Sequence, residues 1–408
     1  MRIAHVARRF TPAAWGGTES VVASLARAQR RAGHAAEVLC TAALDRPGAA
    51  EVLGVPVRRF RYTYARLPLS GAARAALDRK GGNPLSPGLM AALLAGERPA
   101  VVHCHTMQRL AGQARWAARR RGAAYVVQLH GGEFDVPPEE VREMTAPGRR
   151  ALDWGKIPAA LLGTRAFLRG ADLVLVLSAI ELERARAALP GVRVERLPNG
   201  VDPERFAGGD GARARARLGI PASVPLLLTV ARVDPQKNQL ALVDLLAALP
   251  GAHAALAGPV TVPGYDETIR QRAGELGVLD RLHLLGALAP ESEPLADLYR
   301  AADVFVLPSR HEPFGIVVLE AWAAGVPVVA TRVGGLAELV EDGRTGRLCP
   351  PADGPALAAA VAALCPPGAA RDRLVDAART EVATRYAWPA VAARLETLYR
   401  EIRQGGRT

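Results

Sequence analysis

Short apolar runs alternate along the chain with longer stretches of helical periodicity. An apolar run of about four to eight residues bounded by turn residues is typical of a strand buried on both faces. The runs of this kind are Arg2–Ala7, Ala36–Cys40, Pro56–Tyr64, Ala100–His105, Ala124–Leu129, Ala171–Ser178, Val192–Leu197, Pro225–Val230, Ala254–Gly258, Leu282–Leu285, Val304–Leu307 and Val326–Thr331. Their alternation with helices predicts parallel sheets, which bind ligands at the carboxyl ends of their strands.

The most regular β-α-β-α stretch spans residues 304–340 and carries two acidic residues. Glu312 precedes a helix predicted to run from about Phe314 to Gly325, and Glu320 lies eight residues later among apolar neighbours. An acid at a helix start commonly complements the helix dipole, but a Glu in an apolar helix needs a partner. Eight helical residues span about 12 Å, so the two carboxylates suit two points of one elongated ligand.

Composition favours a globular protein of two domains. The chain has 408 residues, of which 50% are hydrophobic and 23% charged, and its net charge is +12. That charge suits an acidic ligand or an anionic membrane surface, whereas no recognition module for nucleic acid is visible. The four cysteines are far apart, which indicates neither a disulfide framework nor a Cys-x-x-Cys metal site and favours a reducing cytosol. No leader peptide or apolar run long enough for a membrane span is visible, although a peripheral membrane contact remains open.

Two kinds of candidate residue follow the strands of the first half. Gly16 and Gly17 lie between the first strand and the first helix, where small residues let a backbone approach a phosphate closely. His105 ends one strand and His130 follows another, at the sheet edge where ligands bind. A lone histidine at such a position is more often structural, and we therefore give His105 the weaker claim.

The second half carries a pair of cations at the end of its first strand. Arg232 and Lys237 are five residues apart in the loop that follows Pro225–Val230. An Arg fork and a Lys point charge can converge on one diphosphate. No Asp-x-Asp follows a strand and no His/Cys cluster at ligand spacing appears in the sequence, so we expect no metal or cofactor.

Several motifs resemble those of retaining glycosyltransferases of family four, which have the GT-B fold. The similar segments are E-P-F-G-x-x-x-L-E, A-x-A-x-G-x-P-V-x-A-T, R-V-D-P-Q-K-N, H-G-x-x-x-D from His130 to Asp135, P-N-G-V-D and the tail from Arg385 to Tyr399. Ala231 departs from the pattern, since the family usually has Gly before the Arg. The resemblance implies two Rossmann-like domains facing a cleft: residues 1–202 for the acceptor, 203–385 for the nucleotide sugar, and a C-terminal helix at 386–408 that returns to the first domain.

The resemblance also implies roles for individual residues. The expected catalytic residues are His130 beside the reacting sugar, Arg232 and Lys237 on the diphosphate, and Glu312 on hydroxyls of the donor sugar. Glu320 is expected to bind the ribose. The other expected substrate contacts are Gly16, Gly17, Asn199, Leu288, Phe314, Gly315 and Ile316.

The implied activity is transfer of a hexose from a nucleoside-diphosphate sugar to a hydroxyl group, with retention of the α configuration and without a metal ion. The donor base (uridine, guanosine or adenosine) and the acceptor (a glycan, a lipid or a small molecule) stay open. We expect the acceptor to bind around Ala65–Pro87 and Glu133–Ala160. Alternative activities are those of a nucleotide-sugar epimerase or phosphorylase, or of a homologue that binds nucleotide sugar without catalysis.

Overall fold

The computed structural model describes residues 1–79, 82–131, 152–156, 160, 166–289 and 291–405. These residues form two compact units. The first contains residues 1–198 together with the chain from Val391 onward, and the second is Asn199–Ala390. Asp135 of the H-G-x-x-x-D motif and most of the expected acceptor segment Glu133–Ala160 lie outside the described residues.

The first unit is built on an eight-stranded sheet. In chain order its strands are β1 (Arg2–Ala7), β2 (Ala35–Thr41), β3 (Gly48–Val52), β4 (Val55–Phe60), β6 (Val101–Cys104), β7 (Ala124–Gln128), β9 (Leu173–Val176) and β10 (Val194–Arg196). They lie in the order β10-β9-β7-β6-β1-β2-β4-β3, and all neighbours are parallel except β3 and β4. The pairing order reverses direction between β1 and β6, which is the switch point where ligands of doubly wound sheets bind.

The helices of the first unit cover both faces of this sheet. They are α1 (Gly17–Arg31), α2 (Gly71–Arg79), α3 (Pro87–Ala95), α4 (Gln108–Arg121), α5 (Ala179–Ala188) and, at the end of the chain, the helix Trp388–Gly405. Tyr399 of the last helix is fully buried and its hydroxyl lies 2.6 Å from Nδ1 of His103. The prediction that the C-terminal helix returns to the N-terminal domain is therefore confirmed.

The second unit contains a six-stranded parallel sheet. Its strands are β11 (Leu226–Val230), β12 (His253–Ala257), β13 (Leu282–Gly286), β14 (Val304–Leu307), β15 (Val328–Thr331) and β16 (Arg347–Cys349). The order β13-β12-β11-β14-β15-β16 is that of a nucleotide-binding doubly wound sheet, with its switch point between β11 and β14. The predicted α/β class with two Rossmann-like parallel sheets is confirmed.

The helices of the second unit pack on this sheet around a core of Leu, Val and Ala. They are α6 (Pro203–Ala207), α7 (Gly211–Leu218), α8 (Gln239–Ala248), α9 (Tyr265–Glu275), α10 (Glu293–Ala301), α11 (Ile316–Ala324), α12 (Leu336–Leu339), α13 (Gly354–Leu364) and α14 (Ala369–Glu381), the last continued by a π-helical turn at Val382–Tyr386. None of the helices in the described part of the chain is both long and apolar enough to cross a membrane.

Two segments differ from the sequence-based expectation. The Gly-, Pro- and Arg-rich composition of Ala65–Pro87 predicts a mobile segment, but it contains the helix α2, whose C-terminal carbonyls accept hydrogen bonds from Arg8 and Arg9. Cations at a helix C-terminus are stabilising, and the partners lie far away in sequence. The sequence of Glu139–Leu168 predicts helices interrupted by prolines, but it includes the short strand β8 (Leu152–Asp153), which pairs antiparallel with β5 (Arg66–Leu67).

Gly258 follows β12, and its contact with Ala231 tests how closely the ends of β11 and β12 approach each other. Its φ is +150°, and a Cβ there would collide with the carbonyl oxygen of Ala231. We expect Gly258→Ala to lower the free energy of unfolding by roughly 2 kcal/mol or more, because it combines overpacking with backbone strain.

Gly274 is the matched control, since it lies in a helix and a Cβ there meets nothing within 4 Å. Gly274→Ala should raise the free energy of unfolding by about 0.5–1 kcal/mol. Urea denaturation of both variants measures the two changes, and equal stability of Gly258→Ala and the natural protein would contradict the close approach.

Candidate active site

Lys237 and Glu312 form an ion pair at the switch point of the second unit. The Lys237 Nζ lies 2.7 Å from Oε2 of Glu312, and the two side chains are only 10% and 13% exposed. Lys237 lies in the loop after β11, and Glu312 lies in the loop after β14, the neighbouring strand. The structure therefore brings together two of the four predicted catalytic residues, which are far apart in sequence.

Hydrogen bonds between the two loops fix this geometry. The Asn238 side-chain amide donates to the Pro308 carbonyl at 3.2 Å. The Arg310 amide donates to the Gln236 carbonyl at 2.8 Å. Asn238 itself has a φ of +55°, which Asn tolerates better than most residues. These bonds hold Lys237 and Glu312 within reach of one small ligand group.

The Gly334-Gly335 turn supports Glu312 from behind. The Gly335 amide donates to the Glu312 carbonyl at 2.8 Å. A Cβ at Gly334 would collide with that carbonyl oxygen, and one at Gly335 would collide with the Pro313 carbonyl. These glycines are therefore required by the close approach of two loops.

Arg232 occupies a more open position. Its guanidinium pairs with the buried carboxylate of Asp234 at 3.1 Å and donates to the side chain of Gln236 at 3.0 Å, and the side chain is 43% exposed. The Lys237 amide donates to the Asp234 carbonyl at 3.0 Å, so Arg232 and Lys237 belong to one hydrogen-bonded loop. Sequence reasoning missed Asp234, which orients the arginine.

The helix α11 begins with free backbone donors. Gly315, its N-cap, has a φ of +95° and supplies no side-chain cap, and the first turn contains no acidic residue. The helix starts at Ile316 rather than near Phe314, so Glu312 precedes it by four residues and the distance of about 12 Å between the two carboxylates no longer follows from helix geometry. An uncapped amino end with a positive dipole attracts anions.

Glu320 makes its hydrogen bond away from the Lys237–Glu312 pair. Its Oε2 accepts from the hydroxyl of Tyr299, a fully buried residue of α10, at 2.6 Å. Burial raises the pKa of Glu320 to about 7, against the smaller opposing effects of Tyr299 and of nearby Arg205. The apolar context predicted a partner, but sequence alone gave no sign that it would be Tyr299.

The remaining predicted contacts of the second unit lie in different settings. Phe314 is buried, and Ile316 and Leu288 are half-buried; Leu288 lies just after the end of β13. Asn199 is 3% exposed, and its side-chain oxygen has no hydrogen-bond partner among the described residues. The structure does not link Leu288 or Asn199 to the ion pair by a described hydrogen bond.

In the first unit, Gly16 and Gly17 lie at the start of α1. Gly16 is the extended N-cap, a Cβ there would meet only a side-chain oxygen of Glu19 at 3.1 Å, and a Cβ on Gly17 would meet nothing within 4 Å. Gly17 is therefore not required by backbone conformation or packing within this unit, whereas a side chain at Gly16 would press on the Glu19 carboxylate. Glu19 lies in the first turn, where its carboxylate pairs with Arg9 at 3.2 Å.

His130 is part of a buried chain of histidines. Its Nε2 lies 3.0 Å from Nδ1 of His105, whose Nε2 lies 2.9 Å from Nδ1 of His5. The His5 Nε2 in turn lies 2.7 Å from Oε1 of Gln29. Burial lowers the pKa of His5 and of His130 to about 4, so both rings are neutral at physiological pH.

This arrangement corrects the expectation that the histidines form no cluster. His5 and His103 are paired in register on β1 and β6, and one ring nitrogen each of His5, His103 and His105 lies within 4.8 Å of the others. Among the described residues, this is the group whose nitrogens lie close enough together to hold a metal ion. The cluster was missed because His5 belongs to a strand that is distant in sequence.

Comparison with known proteins agrees with the fold and with membership of a glycosyltransferase family. Residues 211–381 match the family described as "Glycosyl transferases group 1", and residues 16–200 match the "Glycosyl transferase 4-like domain". The D-inositol 3-phosphate glycosyltransferase 2 of Catenulispora acidiphila is 35% identical over 318 residues, which cover 73% of this chain and 70% of that protein. The enzyme of Acidothermus cellulolyticus is 33% identical over 74% of this chain and 67% of its own.

Solved structures show the same architecture. Sucrose-phosphate synthase of Thermosynechococcus elongatus superimposes with a TM-score of 0.73 at 24% identity over 99% of both chains. Anabaena HepE, crystallised with UDP and glucose, gives 0.73 at 22% identity over 98% of this chain and 100% of its own. The fold and the family matches thus define a glycosyltransferase of the GT-B class. The chain belongs to the group 1 glycosyltransferases, with a glycosyltransferase 4-like N-terminal domain.

The energetic importance of the ion pair can be tested apart from catalysis. We expect Lys237→Met to lower the free energy of unfolding by about 3 kcal/mol, because it leaves the Glu312 carboxylate largely buried without its cation. Adding Glu312→Gln to that variant should restore much of the loss. A double-mutant cycle from urea denaturation measures the coupling, and simple additivity of the two changes would show that the pair is not coupled.

Proposed function

We propose that this glycosyltransferase is a retaining enzyme that transfers a hexose from a nucleoside-diphosphate sugar to a hydroxyl acceptor, forming an α-glycosidic bond without a metal ion. The observation that carries the proposal is the largely buried Lys237–Glu312 pair beside the uncapped start of α11. Lys237 suits a phosphate, and Glu312 suits sugar hydroxyls. One short stretch of sheet edge therefore offers both kinds of recognition that a nucleotide sugar requires.

The diphosphate would be held by positive groups that belong to the protein. The Lys237 ammonium, the Arg232 guanidinium and the first amides of α11 are the donors, and the absence of an acid from the first turn of α11 leaves its dipole uncompensated. Fixed donors of this kind stabilise negative charge as it develops, because they need no reorganisation during the reaction. In this proposal the diphosphate replaces Glu312 as a partner of Lys237.

Glu312 would then be free to accept hydrogen bonds from hydroxyls of the hexose. Its position is fixed by the Gly335 amide at 2.8 Å from its carbonyl, so a change of side-chain partner requires no movement of the loop. Phe314, Gly315 and Ile316 would add contacts beside it. The Lys237–Glu312 ion pair of the free enzyme would thus be replaced by two interactions with the donor, one between Lys237 and the diphosphate and one between Glu312 and the sugar hydroxyls.

This placement of charge supports the following proposal for the transfer step. The bond between the anomeric carbon and the phosphate oxygen breaks, the electron pair leaves with the diphosphate, and an oxocarbenium-like sugar forms. The acceptor hydroxyl attacks the same face, and its proton passes to the departing phosphate oxygen. No carboxylate nucleophile is needed on this route, which agrees with the pairing of Glu312 to Lys237 rather than to an acceptor site.

Glu320 would bind the ribose hydroxyls of the nucleotide. With a pKa of about 7 and one oxygen bound to Tyr299, the carboxyl can accept further hydrogen bonds once it is ionised. Leu288 and Asn199 remain proposed contacts of the nucleotide sugar. HepE was also crystallised with UDP-glucose, which makes UDP-hexoses the first donors to test.

In this proposal the acceptor binds the first unit, His130 would contact the transferred sugar, and Gly16 and Gly17 would contact the diphosphate. The relatives named above act on D-inositol 3-phosphate, so this phosphorylated polyol is the first acceptor to assay, followed by glycans and lipid-linked sugars. A cytoplasmic location with peripheral contact to an anionic membrane would suit the net charge of +12. Donor turnover with and without acceptor separates transfer from epimerase or phosphorylase activity.

Replacing Lys237 tests the diphosphate assignment. Lys237→Ala should lower kcat about a hundredfold, because the loss of one donor to a developing negative charge costs roughly 3 kcal/mol. Arg272→Ala is the control, since Arg272 also pairs with a carboxylate, Asp244, but on an exposed helix of the same unit. The measurement is kcat for UDP-glucose at saturating donor in both variants. An equal decrease of kcat in Lys237→Ala and Arg272→Ala would contradict the assignment.

The raised pKa of Glu320 predicts a pH-dependent affinity. The carboxyl is ionised above pH 7 and protonated below it, so donor binding that requires the carboxylate should weaken about tenfold between pH 8 and pH 6. UDP-glucose is the appropriate ligand because both of its phosphates are esterified and do not titrate in this range. Calorimetry should show this slope in the natural protein and a flat profile in Glu320→Gln. A slope that persists in the variant would remove Glu320 from the ribose site.

A further inference from the structure

The buried histidines of the first unit form a chain with a defined polarity. Three hydrogen bonds connect Gln29, His5, His105 and His130 in that order, at 2.7, 2.9 and 3.0 Å. His5 and His105 are buried, and Gln29 is 2% exposed. Gln29, His5 and His105 have no role in the proposed transfer of the sugar.

Only two arrangements of protons satisfy this chain. Burial lowers the pKa values of His5, His105 and His130, so each ring is neutral and carries a single proton. A neutral ring that hydrogen-bonds through both nitrogens must donate from one and accept at the other. All protons therefore point toward Gln29, or all point away from it.

Gln29 decides between the two arrangements. It presents its side-chain oxygen to His5, and an amide oxygen only accepts. The His5 proton is then on Nε2, which leaves Nδ1 to accept from Nε2–H of His105. By the same logic, Nδ1 of His105 accepts from Nε2–H of His130.

We propose that His105, backed by His5 and Gln29, is a positioning residue that holds His130 in the Nε2–H tautomer. Nδ1 of His130 is thereby left as a hydrogen-bond acceptor at the carboxyl end of β7. An acceptor at this point takes the proton of a hydroxyl group of the sugar or of the acceptor substrate, whereas an N–H would require the hydroxyl oxygen to accept instead. This role rests on the proposed function, but the tautomer itself does not.

A metal ion is the competing occupant of the same cluster. It would need Nδ1 of His5 and Nε2 of His105, which lie 2.9 Å apart. Two nitrogens bound to a tetrahedral zinc ion at about 2.0–2.1 Å would be roughly 3.3 Å apart. No carboxylate among the described residues hydrogen-bonds to these rings, and a buried dication with only neutral ligands is costly to desolvate. The distances therefore favour a shared proton over a metal ion.

The tautomer is measured by two-bond ¹H–¹⁵N correlation NMR on the full-length protein labelled at histidine, with His130 assigned from the spectrum of His130→Gln. We expect the proton on Nε2 of His130 in the natural protein. His105→Leu should abolish this preference, and His105→Asn should keep it, because the Asn side-chain oxygen can replace Nδ1 as the acceptor. Gln29→Leu, which is remote from His130, should populate both tautomers.

Turnover connects the tautomer to function. His105→Leu should lower kcat/KM for transfer about tenfold, the effect of losing one hydrogen bond, and His105→Asn should recover most of it. His283→Leu is the matched control, because it breaks the separate His253–His283 hydrogen bond of 3.0 Å in the second unit. It should change neither the His130 signal nor kcat/KM.

Three results would overturn the proposal. The first is a proton on Nδ1 of His130 in the natural protein. The second is a His130 tautomer that stays unchanged in both His105→Leu and Gln29→Leu. The third is a stoichiometric metal ion detected in the purified protein by mass spectrometry. If the tautomer behaves as expected but no nucleotide sugar is turned over, the proposed function is wrong while the assignment of the histidine protons is retained. If transfer occurs and His105→Asn is no better than His105→Leu, the positioning role fails alone.

Discussion

The second unit depends on keeping two opposite charges together where they are largely shielded from water. Lys237 and Glu312 follow neighbouring strands of one sheet, and a charge removed from water is tolerated only beside its partner. The unusual backbone of Asn238 and the Gly334-Gly335 turn both serve this approach. The proposed site for a diphosphate and a sugar thus holds their complements as an internal ion pair, so that neither charge is left unpaired in the free protein.

The two units use the same topology with different chemistry at the switch point. In the second unit, the strands that meet there are followed by charged side chains. In the first unit, the corresponding strands β1 and β6 carry His5 and His103, neutral rings that contact each other and hydrogen-bond to His105 and Tyr399, respectively. Neutral groups suit the recognition of hydroxyls, whereas charged groups suit a diphosphate. This division agrees with the proposal that acceptor and leaving group bind to different units.

The sequence predicted most strands of both sheets because buried parallel strands are continuous apolar runs. It missed the edge strands β3 and β16, of which β3 is largely exposed and β16 has only three residues. It failed for α2, whose sequence G-A-A-R-A-A-L-D-R lies in a segment rich in Gly and Pro and whose end is stabilised by the distant residues Arg8 and Arg9. It also failed for Leu152–Asp153, a strand too short to show periodicity. Tertiary partners decided the structure in both cases.

For the site, the motifs identified single residues, but their partnerships emerged only in three dimensions. Tyr299 and Glu320 come from different helices, and His5 reaches His105 across two strands. Each of these residues violates a local expectation: an acid in an apolar helix, a histidine in an apolar strand. A polar residue in an apolar element departs from the pattern that folding alone favours, and such departures are expected at functional sites. A distant polar partner that satisfies its hydrogen bonds makes such a position a candidate for function. Gly17 fits the proposed function in the same way, since neither packing nor backbone conformation within the first unit requires a glycine there, and a small residue lets a ligand approach the backbone closely.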